Sequence, residues 1–335
     1  MSSAIDCGSQ IVLCELPIRV DTYEGCTHAC KYCFVKRNKS IEDVTPLSAV
    51  KAVKRFIEGS RNERTNWCDW DIPLHWGGMS DPFQPAESRY KCSLELLKLF
   101  SESKYPFVVS SKGRISVTEP YYSLFKKCNC VYQISAVCSK YDKLEPGAPS
   151  FEERMDICRK MSQVVRRVII RVQPYLHSCL NEVLRSLCKF KKAGAYGITI
   201  EGMKYLTKKQ GLVRIGGDYC YPKELLINDF TKIKKEAHNC GLRFFCAENR
   251  LREMGDDWCC CGIEGLKGFS GNKFNSLSIA KGRKVLPTKV QTTAKGAAFN
   301  SLCQTCSGGR FCSANTVEFL MRHYANKFKA KGIFG

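Results

Sequence analysis

The sequence lacks long hydrophobic runs. Its 335 residues contain no stretch of about 18 consecutive apolar residues, which is the length that a membrane-spanning helix needs. The first residues also lack a basic segment followed by an apolar one, which a secretory signal peptide would show. We therefore expect a cytoplasmic protein that has no membrane among its partners.

Acidic residues are scarce beside basic ones. The sequence has 32 Asp and Glu against 53 Lys and Arg, which gives a formal net charge of +21 at pH 7. The imbalance is steepest from residue 260 onward, where 12 basic residues stand against 2 acidic ones. Because Lys and Arg supply sequence-independent affinity for phosphates, this charge favours nucleic acid, either DNA or RNA, as the partner. A basic surface that only keeps the protein soluble is the alternative.

Linkers and short repeats are also scarce, and from about residue 19 to 250 apolar runs alternate with amphipathic stretches. The apolar runs are Arg19–Tyr23, Ile72–Trp76, Phe107–Ser111, Val131–Val137, Val168–Gln173, Gly197–Glu201 and Leu242–Cys246. The helical patterns are Pro46–Glu58, Cys92–Ser101, Phe151–Val164, Leu180–Lys192 and Pro222–Asn239. This alternation predicts βαβ units and a parallel sheet.

Six or seven such units are too few for a closed eight-stranded barrel. The sequence therefore predicts an α/β fold with a partial (β/α)6 TIM-type barrel over residues 19–250, and chemistry at the carboxyl ends of its strands. Residues 1–18 would form an N-terminal extension. Residues 251–335 would form a small, irregular, basic C-terminal domain rich in cysteine.

Cysteine is abundant, with 22 residues. Without export the compartment is reducing and disulfides are not expected to persist, so the thiols point to metal ligation or packing. The sharpest spacing is Cys26, Cys30 and Cys33, directly after the first predicted strand. Three thiolates so placed can ligate three irons of one [4Fe–4S] cluster and leave the fourth iron open. The alternatives are a zinc site, which would need a fourth ligand, and a chance group of buried thiols.

This CxxxCxxC motif, with Tyr32 beside its last cysteine, resembles the signature of the radical S-adenosylmethionine (radical SAM) superfamily. Gly77 and Gly78 match the glycine-rich segment that meets the methionine amino group in that superfamily, whereas Met79 stands in place of its acidic third position. The stretches 77–87 and 143–161 resemble the spore photoproduct lyase-like subgroup, and the resemblance covers about residues 19–250. It implies a [4Fe–4S] cluster, S-adenosyl-L-methionine and a one-electron reductant such as flavodoxin or ferredoxin. It also implies reductive cleavage to a 5′-deoxyadenosyl radical that abstracts a hydrogen from the substrate.

Further cofactor contacts follow from position relative to the predicted strands. Hydroxyl groups suit a ribose, and Lys or Arg suits a carboxylate. The candidates are Tyr32, Gly77, Gly78, Asp81, Ser111, Lys112, Ser135, Arg154 and Arg171. A solvated surface charge is the alternative for each basic residue. Cys138 follows the fourth predicted strand and is a candidate catalytic hydrogen donor, with plain packing as its alternative.

A second cysteine group lies toward the C-terminus. Cys303, Cys306 and Cys312, together with one thiol of an earlier set in which we favour Cys246 and Cys261, would complete a fully ligated site. The spacing is similar to part of the auxiliary-cluster domains that follow many radical SAM cores, which implies an auxiliary [4Fe–4S] cluster. Structural zinc and unliganded thiols are the alternatives.

Three functions remain open. The first is a radical SAM enzyme that repairs, modifies or rearranges a base of DNA or RNA, which must be flipped out or single-stranded to reach a buried site. The second is a radical SAM enzyme that modifies a peptide or protein with the help of an auxiliary cluster. The third is a non-catalytic iron–sulfur protein that binds nucleic acid.

Overall fold

An eight-stranded sheet organises the protein. The computed structural model describes residues 4–7, 14–37, 43–60, 72–215 and 218–271. The strands of the sheet are β1 (Ile5–Cys7), β2 (Ile18–Val20), β5 (Leu74–Trp76), β6 (Phe107–Ser111), β7 (Cys130–Ser135), β8 (Arg167–Tyr175), β9 (Gly197–Gly202) and β13 (Arg243–Cys246), in this spatial order. The strands β2 to β13 run parallel to one another, and β1 pairs antiparallel with β2 at the edge.

Shorter strands lie outside this sheet. The pair β3 (Tyr23–Glu24) and β4 (Thr45–Pro46) forms a small ribbon. The strands β10 (Lys204–Tyr205), β11 (Val213–Ile215) and β12 (Asp218–Cys220) form an antiparallel three-stranded sheet in the connection after β9. We call the described residues of this connection, 204–215 and 218–220, the rim hairpin.

Helices connect successive parallel strands. They are α1 (Ala49–Ile57), α2 (Glu87–Tyr90), α3 (Cys92–Ser103), α4 (Tyr121–Phe125), α5 (Phe151–Met161), α6 (Leu180–Lys192) and α7 (Lys223–Asn239), with short 3-10 turns at 34–37, 114–117, 139–144, 177–179 and 249–254. Ser150 caps α5 in a capping box with Glu153. Six β–α units and a final seventh parallel strand thus form an open sheet, which confirms the predicted partial barrel.

The two faces of the strands bury different partners. Alternate side chains of a strand point to opposite faces, and the outward ones, such as Val109, Ile170 and Ile198, pack with the helices in one large core. The inward side chains near the amino ends are apolar, and those near the carboxyl ends are polar. Function at the carboxyl ends is therefore compatible with a stable sheet below it.

The start of the cysteine-rich segment belongs to this barrel. Cys259, Cys261, Ile263 and Phe269 pack on the inner face of the sheet in a second apolar core, together with Leu16, Val108, Val131, Ile169 and Phe245. Arg167 donates to the carbonyls of Gly262 and Glu264 at 3.0 and 2.7 Å. The segment therefore closes the amino-terminal side of the barrel.

One expectation about the thiols is wrong. The structure contains a disulfide between Cys188 of α6 and Cys240 at the end of α7. In a reducing compartment these two residues are expected to be free thiols. The packing of α6 against α7 brings these two cysteines together, 52 residues apart in the chain.

Among the described residues, no helix is both long and apolar enough to cross a bilayer.

Candidate functional site

A cavity of about 530 Å³ opens at the carboxyl ends of the parallel strands. Its wall includes the three cysteines of the CxxxCxxC motif, the loop after β5 and the ends of β6 to β9. The residues that line the cavity include Cys26, His28, Cys30, Tyr32, Cys33, Phe34, Gly77, Gly78, Met79, Asp81, Ser110, Ser111, Lys112, Ser135, Arg171, Gln173, Glu201, Lys204 and Asp218.

Cys26, Cys30 and Cys33 lie in the wall of one cavity. Cys30 is buried and the other two are partly exposed, and all three face that cavity. Their sulfur atoms do not all lie within 4.8 Å of one another. Three thiolates that share a cavity can ligate three irons of one [4Fe–4S] cluster.

Buried His28 and Asp81 fix the loop that carries these cysteines. His28 Nδ1 lies 2.8 Å from the carbonyl oxygen of Gly147 and Nε2 lies 3.1 Å from Asp81 Oδ2. Both ring nitrogens of His28 therefore lie beside oxygen atoms from distant parts of the chain. Asp81 also accepts from the Ser111 hydroxyl at 2.7 Å and the Lys112 N–H at 2.6 Å. Burial opposes ionisation of Asp81, but His28, Ser111 and Lys112 outweigh it and lower the pKa to about 2.

Close backbone approach explains Gly147 beside this loop. A Cβ atom at Gly147 would lie 2.4 Å from the Thr27 carbonyl oxygen, so a larger residue would push the cysteine loop outward. Gln84, fully buried, holds the same loop from the other side. It accepts from the Thr27 N–H at 2.8 Å and donates to the Gly25 carbonyl at 3.1 Å. The loop is thus positioned by groups up to 120 residues away in sequence.

A lysine lines the wall beside the cysteines. The carboxylate of buried Glu145 is paired with the guanidinium of Arg154, accepts from Tyr32 Oη, and lies 3.9 Å from Lys112 Nζ. Arg154 also lies 3.5 Å from Asp142 Oδ1, and the carboxylate of Asp81 belongs to the same wall as Lys112. Lys112 itself lines the cavity, and its ammonium can pair there with an anionic group, such as the carboxylate of an amino acid.

The loop after β5 brings backbone groups to the cavity. Gly77 has φ +87°, and a Cβ atom there would lie 2.4 Å from the Ser110 carbonyl oxygen, so only glycine fits. Asp21, at the end of β2, lies behind the loop and accepts from the N–H groups of Met79 at 2.9 Å and Ser80 at 3.1 Å. The acidic side chain that Met79 does not provide is thus supplied underneath the loop by Asp21, where it orients the backbone.

Asp21 gives the loop a pH dependence. Burial raises the pKa of Asp21 from 3.8 to about 6, although the Met79 and Ser80 N–H groups and Arg19 oppose the rise. A carboxyl whose pKa is raised in the fold contributes stability below its ordinary pKa, and this contribution is lost as pH rises through about 6. The loss amounts to about 3 kcal/mol.

We therefore expect Asp21→Asn to flatten the pH dependence of unfolding. Its free energy of unfolding, measured with urea at several values between pH 4 and pH 8, should fall less with rising pH than that of the wild type, by about 3 kcal/mol. Asp43→Asn, at an exposed carboxyl, is the control and should follow the wild type. An Asp21→Asn profile parallel to the wild-type profile would show that Asp21 does not carry this effect.

Polar side chains continue around the cavity. Arg171 Nη1 donates to Ser110 Oγ at 2.9 Å and to Gln133 Oε1 at 2.8 Å. Gln173 donates to the carboxylate of Glu201, which is also paired with Lys204 of the rim hairpin. Arg171, Gln173, Glu201 and Lys204 thus form a row of side chains from β8, β9 and the rim hairpin. This row gives the cavity hydrogen-bond donors and acceptors.

The structure brings most of the predicted residues together. The lining of the cavity includes Cys26, Cys30, Cys33, Tyr32, Gly77, Gly78, Asp81, Ser111, Lys112, Ser135 and Arg171. Arg154 lies behind the wall, where its side chain is buried against Glu145 and donates to the Ser135 carbonyl at 2.8 Å. Cys138 is buried next to Cys179 and does not line the cavity.

The predicted ligands of a second centre are only partly described. Cys246 and Cys261 are buried, at the end of β13 and on the inner face of the sheet. Cys303, Cys306 and Cys312 lie outside the described residues.

Several site residues carry no local signal in the sequence. His28 lies inside the motif, but its acceptors are 53 and 119 residues away. Glu145 and Asp21 are single acidic residues whose partners come from other β–α units. Only the place of Asp21 inside the predicted strand 19–23 and of Glu145 inside the 143–161 stretch could have singled them out.

Two solved structures have a chain arrangement similar to that of this protein. Spore photoproduct lyase carrying two substitutions, with bound AdoMet and dinucleoside spore photoproduct, matches with a TM-score of 0.54 and 13% sequence identity, over 68% of this chain and 76% of that chain. The same lyase complexed with dinucleoside spore photoproduct matches with a TM-score of 0.52 and 14% identity, over 69% and 77%. The chain has the radical SAM fold. Within this fold, the cysteine motif and the Gly77–Gly78 loop share one cavity.

Sequence comparison adds relatives without a known activity. No family model matches the chain. Uncharacterized proteins of Mycobacterium tuberculosis and Mycobacterium bovis are each 24% identical over 206 residues. The match covers 56% of this chain and 59% of each relative, so the chain spans less than two thirds of their length.

Proposed function

We propose that this protein is a radical SAM enzyme whose substrate is a nucleic acid. The observation that carries the first part is the shared cavity, which is lined by the three thiols, the Gly77–Gly78 loop and the ammonium of Lys112. A [4Fe–4S] cluster on these thiols would supply reductive cleavage of S-adenosylmethionine to a 5′-deoxyadenosyl radical. A one-electron reductant such as flavodoxin or ferredoxin is the proposed partner.

The residues of the chain have distinct roles in this proposal. Cys26, Cys30 and Cys33 would hold the cluster, and the ammonium of Lys112 would bind the methionine carboxylate. Backbone carbonyls of the loop after Gly77, which lines the cavity, would accept hydrogen bonds from the methionine ammonium group. Ser111 and Ser135 offer hydroxyls in the same wall, which suits a ribose.

The rim of the cavity supports a polyanionic substrate. Lys208, Lys209 and Arg214 are exposed on the rim hairpin, whose Lys204 and Asp218 line the cavity. Phe34 lines the cavity from the cysteine loop, and its exposed fraction is 56%. Cations that follow a phosphate backbone and an exposed aromatic ring that stacks on a base are the elements of single-strand recognition. A base in a duplex would have to be extruded to reach the cavity.

Replacing Lys208, Lys209 and Arg214 by Ala together should weaken binding of a single-stranded oligonucleotide. Because each phosphate contact contributes about 0.7 to the slope of log affinity against log salt, the slope should fall by about two. The control replaces Lys98, Lys126 and Arg159, which are exposed elsewhere, and lowers the net charge by the same amount. Equal slopes for the two variants would show that the rim hairpin does not contact phosphates.

The test of the function is mass spectrometry of nucleosides after anaerobic reaction with reductant and S-adenosylmethionine. A new or altered nucleoside, absent without the cofactor, is the expected result. Peptide modification is the competing outcome, shown by tight binding of a leader peptide together with indifference to nucleic acid. A cluster-loaded protein that forms no 5′-deoxyadenosine would instead be a non-catalytic iron–sulfur protein that binds nucleic acid.

We also propose an auxiliary [4Fe–4S] cluster at the second cysteine group. By their spacing in the sequence, its ligands would be Cys303, Cys306 and Cys312. A fourth thiol would come from one of the earlier cysteines, which are Cys246, Cys259, Cys260 and Cys261. The burial of Cys246 and Cys261 under the barrel supports a role for that set.

A further inference from the structure

Five thiols from three separate parts of the chain lie together under the barrel. Cys14 precedes β2, Cys246 ends β13, and Cys259, Cys260 and Cys261 start the cysteine-rich segment. Cys14, Cys259, Cys260 and Cys261 pack in the second apolar core on the inner face of the sheet, and buried Cys246 directly follows Phe245 of the same core. We call these five residues the floor cysteines.

A buried cation lies among the floor cysteines. Arg252 is 5% exposed, and its guanidinium donates to the Trp258 carbonyl at 3.3 Å and to Asn249 Oδ1 at 3.0 Å. The thiols of Cys260, Cys14, Cys246 and Cys259 are among its neighbours. A buried charge is costly unless it is paired. Thiolates held by a metal centre would place negative charge beside this guanidinium.

Hydrogen bonds link the floor cysteines to the cavity above. Gln133 Nε2 donates to the Cys261 carbonyl at 3.4 Å, and Gln133 Oε1 accepts from Arg171 at 2.8 Å. Arg171 lines the cavity and is also within electrostatic range of Cys260. The floor cysteines therefore lie directly beneath the polar side of the cavity.

We propose that Cys14, Cys246 and Cys260, with Cys259 or Cys261, ligate a second iron–sulfur cluster beneath the cavity. The inference rests on the proposal of an auxiliary cluster and gives that cluster a different ligand set, in place of Cys303, Cys306 and Cys312. It does not depend on the nucleic-acid substrate. It makes Cys14 a ligand, although Cys14 stands alone in the sequence. It also supplies four thiolates without Cys303, Cys306 and Cys312.

Iron and sulfide counting tests the proposal in a background that lacks the first cluster. The Cys26→Ala/Cys30→Ala/Cys33→Ala protein, reconstituted anaerobically, should keep about four iron and four sulfide atoms per chain. Its reduced electron paramagnetic resonance spectrum should not change on addition of S-adenosylmethionine. Adding Cys14→Ser and Cys246→Ser should remove the iron, whereas adding Cys303→Ser, Cys306→Ser and Cys312→Ser should leave it.

The reverse pattern, in which the tail substitutions remove the iron and the floor substitutions do not, would overturn the ligand assignment. Stoichiometric zinc in place of iron would overturn it as well. Adding Cys130→Ala and Cys158→Ala, two buried thiols outside the group, controls for a general effect of losing core thiols. Because the background already lacks the first cluster, failure here is distinct from failure of the proposed function.

Thiol labelling tests the same ligands without substituting them. Cys14 and Cys260 are only partly buried, so both are open to N-ethylmaleimide unless a metal centre holds them. In the reconstituted background protein they should react at least tenfold more slowly than after chelation of the iron. Equal rates before and after chelation would contradict the proposal.

Discussion

Replacing Cys30 by Ala is expected to remove about four iron and four sulfide atoms per chain from the anaerobically reconstituted protein. Cys30 is the buried member of the three motif cysteines, and the loop around it is fixed by His28, Asp81 and Gln84. Two remaining thiolates in a cavity open to solvent would not retain a cluster. Chemical analysis of iron and sulfide gives the count.

The matched control for this prediction is Cys158→Ala. Cys158 is a fully buried thiol in α5 that does not line the cavity. Its loss should lower the free energy of unfolding by about 1 kcal/mol and leave the metal content unchanged. A Cys30→Ala protein with the wild-type iron and sulfide content would show that the motif does not ligate the cluster.

Lys112→Met should weaken binding of S-adenosylmethionine by about 10- to 100-fold, which corresponds to about 1.4–2.8 kcal/mol. Lys112 lines the cavity, and the carboxylate of Glu145 beside it is already paired with Arg154. A charge-assisted hydrogen bond to a carboxylate has this magnitude. Equilibrium dialysis of the cluster-loaded protein measures the affinity.

Arg154 provides the contrast to Lys112. Arg154→Met leaves Glu145 buried with a lysine at 3.9 Å, so we expect a fall of about 3–5 kcal/mol in the free energy of unfolding. Lys112→Met should keep the fold, because Glu145 retains its arginine. Unchanged affinity in Lys112→Met, beside wild-type iron content, would remove Lys112 from the cofactor site.

The backbone architecture could be predicted because its determinants are local. The apolar positions of 180–192 recur at helical spacing, and the structure has α6 at Leu180–Lys192. The run at 107–111 is a buried strand with the same bounds. In both elements, periodicity and the adjoining loops suffice to set the ends.

The partners inside the site could not be predicted, because they depend on long-range packing. Arg154 looked like a cofactor ligand from its place after the fourth predicted strand, but Glu145 is its partner inside the wall. Cys14 has no cysteine near it in the sequence that would mark it as part of a group. The disulfide between Cys188 and Cys240 likewise follows from the contact of two helices.

Formation of 5′-deoxyadenosine tests the central claim most directly. Cluster-loaded wild-type protein is reduced anaerobically with dithionite, incubated with S-adenosylmethionine, and analysed by liquid chromatography with mass spectrometry. We predict that 5′-deoxyadenosine and methionine accumulate with the wild type and stay at background with Cys30→Ala. Equal amounts from the two proteins, or none from wild type with a full complement of iron and sulfide, would contradict the assignment of Cys26, Cys30 and Cys33 as the catalytic centre.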